Sequence, residues 1–146
     1  VEFELGVRRG NEFFLDYNGN GAWDGLPLDR HFHYGFATDE LTIGDWNGDG
    51  KFELGIRRGN EFYLDYNGNG AWDGPAIDRQ FHYGFASDEL ALGDWNADGV
   101  FELGIRRGNE FYLDHNGNGA WDGPTIDRQF HYGFASDELA LGDWNG

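Results

Sequence analysis

Oxygen-bearing side chains fall at alternate positions ahead of a glycine in two kinds of short loop. The first kind reads Asp45-Trp-Asn47-Gly-Asp49-Gly50-Lys51-Phe-Glu53 and recurs as Asp94, Asn96, Asp98, Gly99, Val100 and Glu102. Calcium takes six to eight oxygens at about 2.3–2.6 Å, and a tight loop supplies them from side chains at positions 1, 3, 5 and 9 and the carbonyl at 7, here that of Lys51 or Val100. Glycine at position 6 permits the bend. Three carboxylates at this spacing repel one another unless a cation sits between them, so the loops predict Ca2+. A plain Asx-turn competes with that reading, because Asp and Asn close such turns without metal.

The second kind has the same spacing with fewer charges. It comprises Asp16, Asn18, Asn20, Ala22 and Asp24, then Asp65, Asn67, Asn69, Ala71 and Asp73, then Asp114, Asn116, Asn118, Ala120 and Asp122. Two of its four side-chain ligands are neutral asparagines, which lowers the field on an ion, and Asn-Gly is itself a strong hairpin signal. These loops are expected to bind Ca2+ more weakly than the first kind, or to serve as metal-free hairpin turns.

The elements that carry the loops follow from an internal repeat. Gly44-Asp45-Trp46-Asn47 recurs at Gly93 and at Gly142, a period of 49 residues, and residues 50–97 differ from 99–146 only at Lys51/Val100, Tyr66/His115, Ala76/Thr125 and Ala97/Gly146. Such identity reads as recent amplification or deliberate, designed symmetry. Within a unit the apolar residues alternate with period two and show no helical period. Four strands per unit are expected: A at Glu89–Trp95, B at Phe101–Arg107, C at Glu110–Asp114 and D at Gln129–Phe134. That is the size of a β-propeller blade of four antiparallel strands. The chain then divides into strands B–D of one blade (1–39), two whole blades (40–88 and 89–137) and a further strand A (138–146).

The string Leu92-Gly-Asp-Trp-Asn-Ala-Asp-Gly-Val-Phe-Glu-Leu-Gly-Ile105 resembles the FG-GAP or VCBS repeat, and Leu-Asp-Tyr-Asn-Gly-Asn-Gly-Ala-Trp-Asp is similar to a loop in bacterial secreted versions of it. The resemblance covers all three units. It implies calcium-stabilised propeller blades like those of integrin α-subunits and some fungal lectins, with calcium held between the first two strands of a blade, and an extracellular setting for a natural protein. Glu53 and Glu102 stand where that family usually has Asp, and three blades are fewer than its propellers have.

Composition narrows the partners. There are 10 Lys and Arg against 27 Asp and Glu, a formal net charge of -17, with no Cys and no Met. The field repels phosphate backbones and anionic membranes, so no nucleic acid and no membrane partner is expected. The absence of cysteine removes thiolate metal sites and cysteine nucleophiles. Three blades do not close on themselves, and an unpaired strand edge invites strand addition. The expectation is therefore a homo-oligomeric ring, two chains giving six blades or three giving nine, in which residues 138–144 complete the first blade of the next copy. A split calcium loop would then combine Asp143 and Asn145 with Glu4 across the junction, near the Val1 amine, and would be the weakest.

Other residues admit second readings. Trp23, Trp72 and Trp121 could stack on sugar rings, which makes glycans an alternative partner and a lectin-like module the alternative function; equally they could fill gaps between blades, as Trp46, Trp95 and Trp144 are expected to do. His82, Ser87 and Asp88 have the residue types of a hydrolase triad, but they lie in a copied strand and turn, so no enzyme is expected. His33, His82 and His131 are expected on outer strands, with no second metal ligand evident beside them. Arg57 and Arg58 and their copies should pair with acids.

Overall fold

The computed structural model describes residues 3–146, and in it the period-two segments form three antiparallel sheets with no helix among the described residues. The first sheet holds β1 (Gly6–Arg9), β2 (Glu12–Leu15) and β3 (Arg30–His33). The second holds β4 (Glu40–Gly44), β5 (Glu53–Arg58), β6 (Glu61–Leu64) and β7 (Arg79–His82), and the third holds β8 (Glu89–Leu90), β9 (Gly104–Arg107), β10 (Glu110–Leu113) and β11 (Arg128–His131). Each sheet is a meander of sequential neighbours, and the three do not close into a barrel or ring. The tight hairpins have a simple cause. Arg9 pairs with Glu12 across Gly10-Asn11, and Gly10 takes φ +65°, the left-handed conformation a two-residue turn needs and glycine adopts without steric cost.

Alternation sends one face of each strand inward. Between the first and second sheets lie Phe13, Tyr34, Leu54 and Ile56; between the second and third lie Trp46, Phe62, Leu64, Tyr83, Leu103 and Ile105. Burial of each large side chain contributes roughly 1.5–3 kcal/mol, so these two seams hold the sheets together. Glycine permits the close approach. Phe32 lies where a Cβ on Gly70 would sit, and Phe81 does the same at Gly119. Ion pairs anchor the links between sheets: Asp39, just before β4, accepts hydrogen bonds from Nε and Nη2 of Arg58 at 2.9 and 2.8 Å, and Asp88, just before β8, accepts those of Arg107 at the same distances. Burial works against ionisation of Asp39 and Asp88, but the arginines and the Phe36 and Phe85 amides outweigh it and hold both below the usual carboxylate range. The expected pairing of Arg57 and Arg106 also stands, with Glu40 and Glu89.

Several expected boundaries shift. Strand A of the third unit is a ladder only at Glu89–Leu90, followed by a single bridge between Gly93 and Glu102, whereas its copy β4 runs five residues. Phe101 packs against Gly44 of β4, while the atoms nearest to a Cβ on Gly93 belong to the ring of its own Trp95. A strand covered by a neighbouring sheet keeps its ladder. Strand C ends at Leu113 and strand D covers Arg128–His131 rather than Gln129–Phe134, because the Gly133 region turns to bring Asp137 onto the Phe134 amide at 2.8 Å. Residues 138–146 form no strand within the chain, and Trp144 is exposed rather than packed between sheets. The first strand begins at Gly6, and the Val1 end expected for it lies outside the described residues.

Candidate metal centre

In the second and third sheets both kinds of acidic loop emerge at the same end, while the first sheet carries only the second kind. Asn47 Nδ2 donates to the Tyr66 carbonyl at 3.0 Å, and Asn96 Nδ2 does the same to His115 at 3.1 Å, so a loop of the first kind lies against one of the second. In the first kind, the starting aspartate organises the turn. Asp45 accepts backbone N–H groups from Gly48 at 2.7 Å, Asp49 at 3.1 Å and Gly50 at 2.8 Å. Asn47 Oδ1 accepts from Asp49, and Asp49 Oδ1 from Lys51, each at 2.9 Å. Glu53, on β5, returns to the loop and accepts the Trp46 amide at 2.9 Å.

These bonds aim three carboxylates at one point. One oxygen each of Asp45, Asp49 and Glu53 lies within 4.8 Å of the others, and the same holds for Asp94, Asp98 and Glu102. Donors bound to one calcium at about 2.4 Å can be separated by at most about 4.8 Å, so both sets fit a shared hard cation. Glu53 and Glu102 are pushed up to about 7, chiefly by burial and then by the neighbouring aspartates, against the pull of the Trp46 and Trp95 amides. A cation would reverse the charge part of that penalty. Lys51 and Val100 enter through their backbone N–H groups, the latter to Asp98 at 2.8 Å.

The second kind of loop satisfies itself. Asp65 accepts from Gly70 at 2.7 Å and Asn69 at 3.2 Å, while Asn67 and Asn69 turn their amide nitrogens onto Asp73. Their Oδ1 atoms accept the Asn69 and Ala71 amides. The same pattern binds Asp16, Asn18, Asn20, Ala22 and Asp24, and again Asp114, Asn116, Asn118, Ala120 and Asp122. The two asparagine amides hold Asp24 and Asp122 below the ordinary carboxylate range. Burial raises Asp65 and Asp114.

An aspartate in every unit that the loop spacing does not point to completes this loop. Asp78 is fully buried; its Oδ1 accepts the Tyr66 amide at 3.0 Å and its Oδ2 the Asp73 amide at 2.7 Å. Asp29 and Asp127 clamp their own loops in the same way. The signal in the sequence is the recurrent Asp-Arg before each outer strand, but its partners lie up to 12 residues upstream.

The split junction loop does not assemble within the chain. Glu4 sits beside Gly19, and Asp143 accepts the Gly146 amide at 3.1 Å, so no three-carboxylate group forms there among the described residues. Asn145 is exposed. Trp72 stands edge-on to Tyr63 at 5.1 Å, Trp121 to Tyr112 at 5.1 Å and Trp23 to Phe14 at 5.3 Å, each partly exposed on its own sheet rather than between sheets. Asp88 is committed to Arg107, and His82 lies 3.3 Å from Glu61, so the triad residues serve separate contacts. The expectation that no second ligand stands near the histidines fails: Glu12, Glu61 and Glu110 lie 3.2, 3.3 and 3.3 Å from His33, His82 and His131, and in the first sheet His31 joins Glu12 and His33. No family model, curated protein or solved structure matches this chain, so its sites are read from their own donors.

Proposed function

We propose that the chain is a calcium-binding β-propeller scaffold, non-enzymatic, whose sheets are blades of a ring built from two copies, or from three in the alternative assembly. The observation that carries the calcium reading is the convergence of three carboxylates, twice, at the same place in successive sheets. Asp45, Asp49 and Glu53 would hold one ion with Asn47 and the Lys51 carbonyl, and Asp94, Asp98 and Glu102 a second with Asn96 and Val100. The second kind of loop, already closed by its asparagines, is the weaker candidate. Calcium titration calorimetry on the chelator-washed protein should show uptake that Asp49→Ala with Asp98→Ala removes. With free calcium a hundredfold above the dissociation constant, each filled site adds about 2.7 kcal/mol of stability. Absence of uptake, or a melting temperature indifferent to chelator, overturns the reading.

The ring is supported by what the outer faces of the first and third sheets leave exposed. Leu5 and Val7 are 69% and 59% exposed where their copies Leu54 and Ile56 are 5% and 1%, and Tyr132 is 81% exposed where Tyr34 and Tyr83 are each 3%. Gly21 has open space where Gly70 and Gly119 receive phenylalanine rings, and Phe130 is the unused ring. Among the described residues the Asp137 carboxylate holds no arginine, and Arg9 is the copy of the arginines that Asp39 and Asp88 hold. Each half of the contact is thus complementary to the other half on a second copy, head to tail. Sedimentation at micromolar concentration should give a dimer or trimer. A compact monomer with native circular dichroism excludes the ring.

A second reading, a glycan-binding module, rests on the exposed rings of Trp23, Trp72 and Trp121 at equivalent places on the three sheets. Glycan-array binding lost on Trp72→Ala with Trp121→Ala would establish it, and an array without signal would remove it.

A further inference from the structure

The first sheet carries a side-chain group that the other two lack. β2 and β3 pair with Glu12 opposite His33, and His31, two residues before His33 on the same strand, projects from the same face. Glu12 Oε1 lies 3.2 Å from His31 Nε2 and 3.2 Å from His33 Nε2, and the three donor atoms all fall within 4.8 Å of one another. In the second sheet the place of His31 belongs to Gln80, which donates its Nε2 to Glu61, and in the third Gln129 does the same to Glu110. Each of those sheets keeps a single histidine against its glutamate, His82 at 3.3 Å and His131 at 3.3 Å. A glutamine places a nitrogen with no lone pair there. A histidine places one with a lone pair.

We propose that Glu12, His31 and His33 form a binding site for a divalent transition cation of the zinc class, separate from the calcium loops. Two imidazole nitrogens and one carboxylate oxygen are the ligands zinc takes at about 2.0–2.2 Å, and two donors of a tetrahedral zinc lie about 3.3 Å apart. The two separations to Glu12 already have that length, so the rings need only present lone pairs in place of N–H. His31 is held by stacking on Phe14, with ring centroids 4.6 Å apart, and Phe14 is itself backed by Trp23, so one ligand is fixed in orientation. His33 is the more exposed, which leaves the remaining coordination position to water. On the β1 side the register partner of Glu12 is Arg9, whose guanidinium lies over the Phe14 ring at 5.1 Å and forms no ion pair with Glu12. The glutamate charge is therefore available to a metal. Nitrogen ligands distinguish this site from the all-oxygen loops, which favour calcium.

The test is zinc titration calorimetry of the full chain in saturating calcium, with cobalt substitution to read coordination from visible absorption. One zinc per chain is expected, with a cobalt spectrum of a four-coordinate site. His31→Gln installs the residue of the other two sheets, so its fold is already accommodated, and losing that ligand should weaken uptake by about 10- to 100-fold or more. Gln80→His should build a second site with Glu61 and His82 and raise the stoichiometry from one to two. Unchanged zinc uptake in His31→Gln, or no added site in a folded Gln80→His, overturns the proposal, as does a wild-type chain that takes up no zinc beside calcium.

Discussion

The two kinds of acidic loop share a spacing and differ in what they can do without an ion. Asp65, Asn67, Asn69 and Asp73 form a closed set, since each asparagine both accepts a backbone N–H and donates to the terminal carboxylate. Asp45, Asp49 and Glu53 cannot close, because ionised carboxylates only accept, and their last member is driven toward its neutral form at about 7. Replacing Asn by Asp at loop position 5 therefore converts a self-satisfied turn into one that needs a cation. Spacing alone does not separate a turn from a metal site; the donor balance does.

The largest effect is expected from breaking the metal-free loop at its clamp. Asp78→Ala leaves the Tyr66 and Asp73 amides without their buried acceptor, at about 1–3 kcal/mol each, and should lower stability by roughly 2–6 kcal/mol in denaturant melts. A loss below about 1 kcal/mol would mean that water replaces the carboxylate.

Next comes the charge held in the open loops. In metal-stripped protein, Glu53 and Glu102 titrate near 7 when folded and near the ordinary 4.5 when unfolded, so between those values the folded state binds more protons. The contribution of these two glutamates is then full below about pH 4.5 and falls as pH rises through 7, by on the order of 1–3 kcal/mol per glutamate. Saturating calcium should cancel that decline, because the bound ion favours the ionised form. Unfolding curves across this window, with and without calcium, check both signs; a metal-free protein that gains stability from pH 5 to 7.5 contradicts the assignment.

Asn69→Asp brings the two kinds closer. It removes an amide donor from Asp73 and adds a third carboxylate, so the variant should lose about 1 kcal/mol in chelator and recover it in calcium. Calorimetry would show an added uptake step, and an identical loss in both conditions would refute the donor-balance account. The smallest effect concerns Ala97, which holds φ +64° where its copy is Gly48 at +79°. Alanine is strained there, and Ala97→Gly should raise stability by about 0.5–1 kcal/mol and tighten calcium at Asp94, Asp98 and Glu102. Equal melting of the two proteins would show that the loop relaxes around alanine.

How much of the molecule is legible in its sequence follows the range of the interactions involved. The repeat, the four-strand rhythm and the ligand spacing of both loops are local patterns, and they correctly place Asp45 beside Glu53 and Arg58 on an acid. Asp29, Asp78 and Asp127 escape such reading because each closes a loop from its far end, through backbone groups that carry no residue signature. Glu12 and His31 escape it for a related reason: their meeting depends on the register of β2 against β3 across the intervening loop. The short β8 depends on a neighbouring sheet being absent from one face, which no property of residues 89–95 encodes.

The seams carry a consequence beyond any single site. Asp39, in the link from the first sheet to the second, grips Arg58 of the second, and Asp88, in the link from the second to the third, grips Arg107 of the third, through the same pair of bonds. Each repeat is thus both latch and keeper, and its order depends on having a neighbour on each side. In a chain separated from its copies, unfolding of such an array is a nearest-neighbour problem: the middle repeat opens only after a flank has gone, whereas the flanks fray independently. Amide exchange in the dissociated chain should be slowest in β5 and β6 and faster in β2 and β10, a difference that closure of the ring should level. The same interchangeability means that a further copy of the 49-residue unit could be spliced in at a seam without redesigning either face.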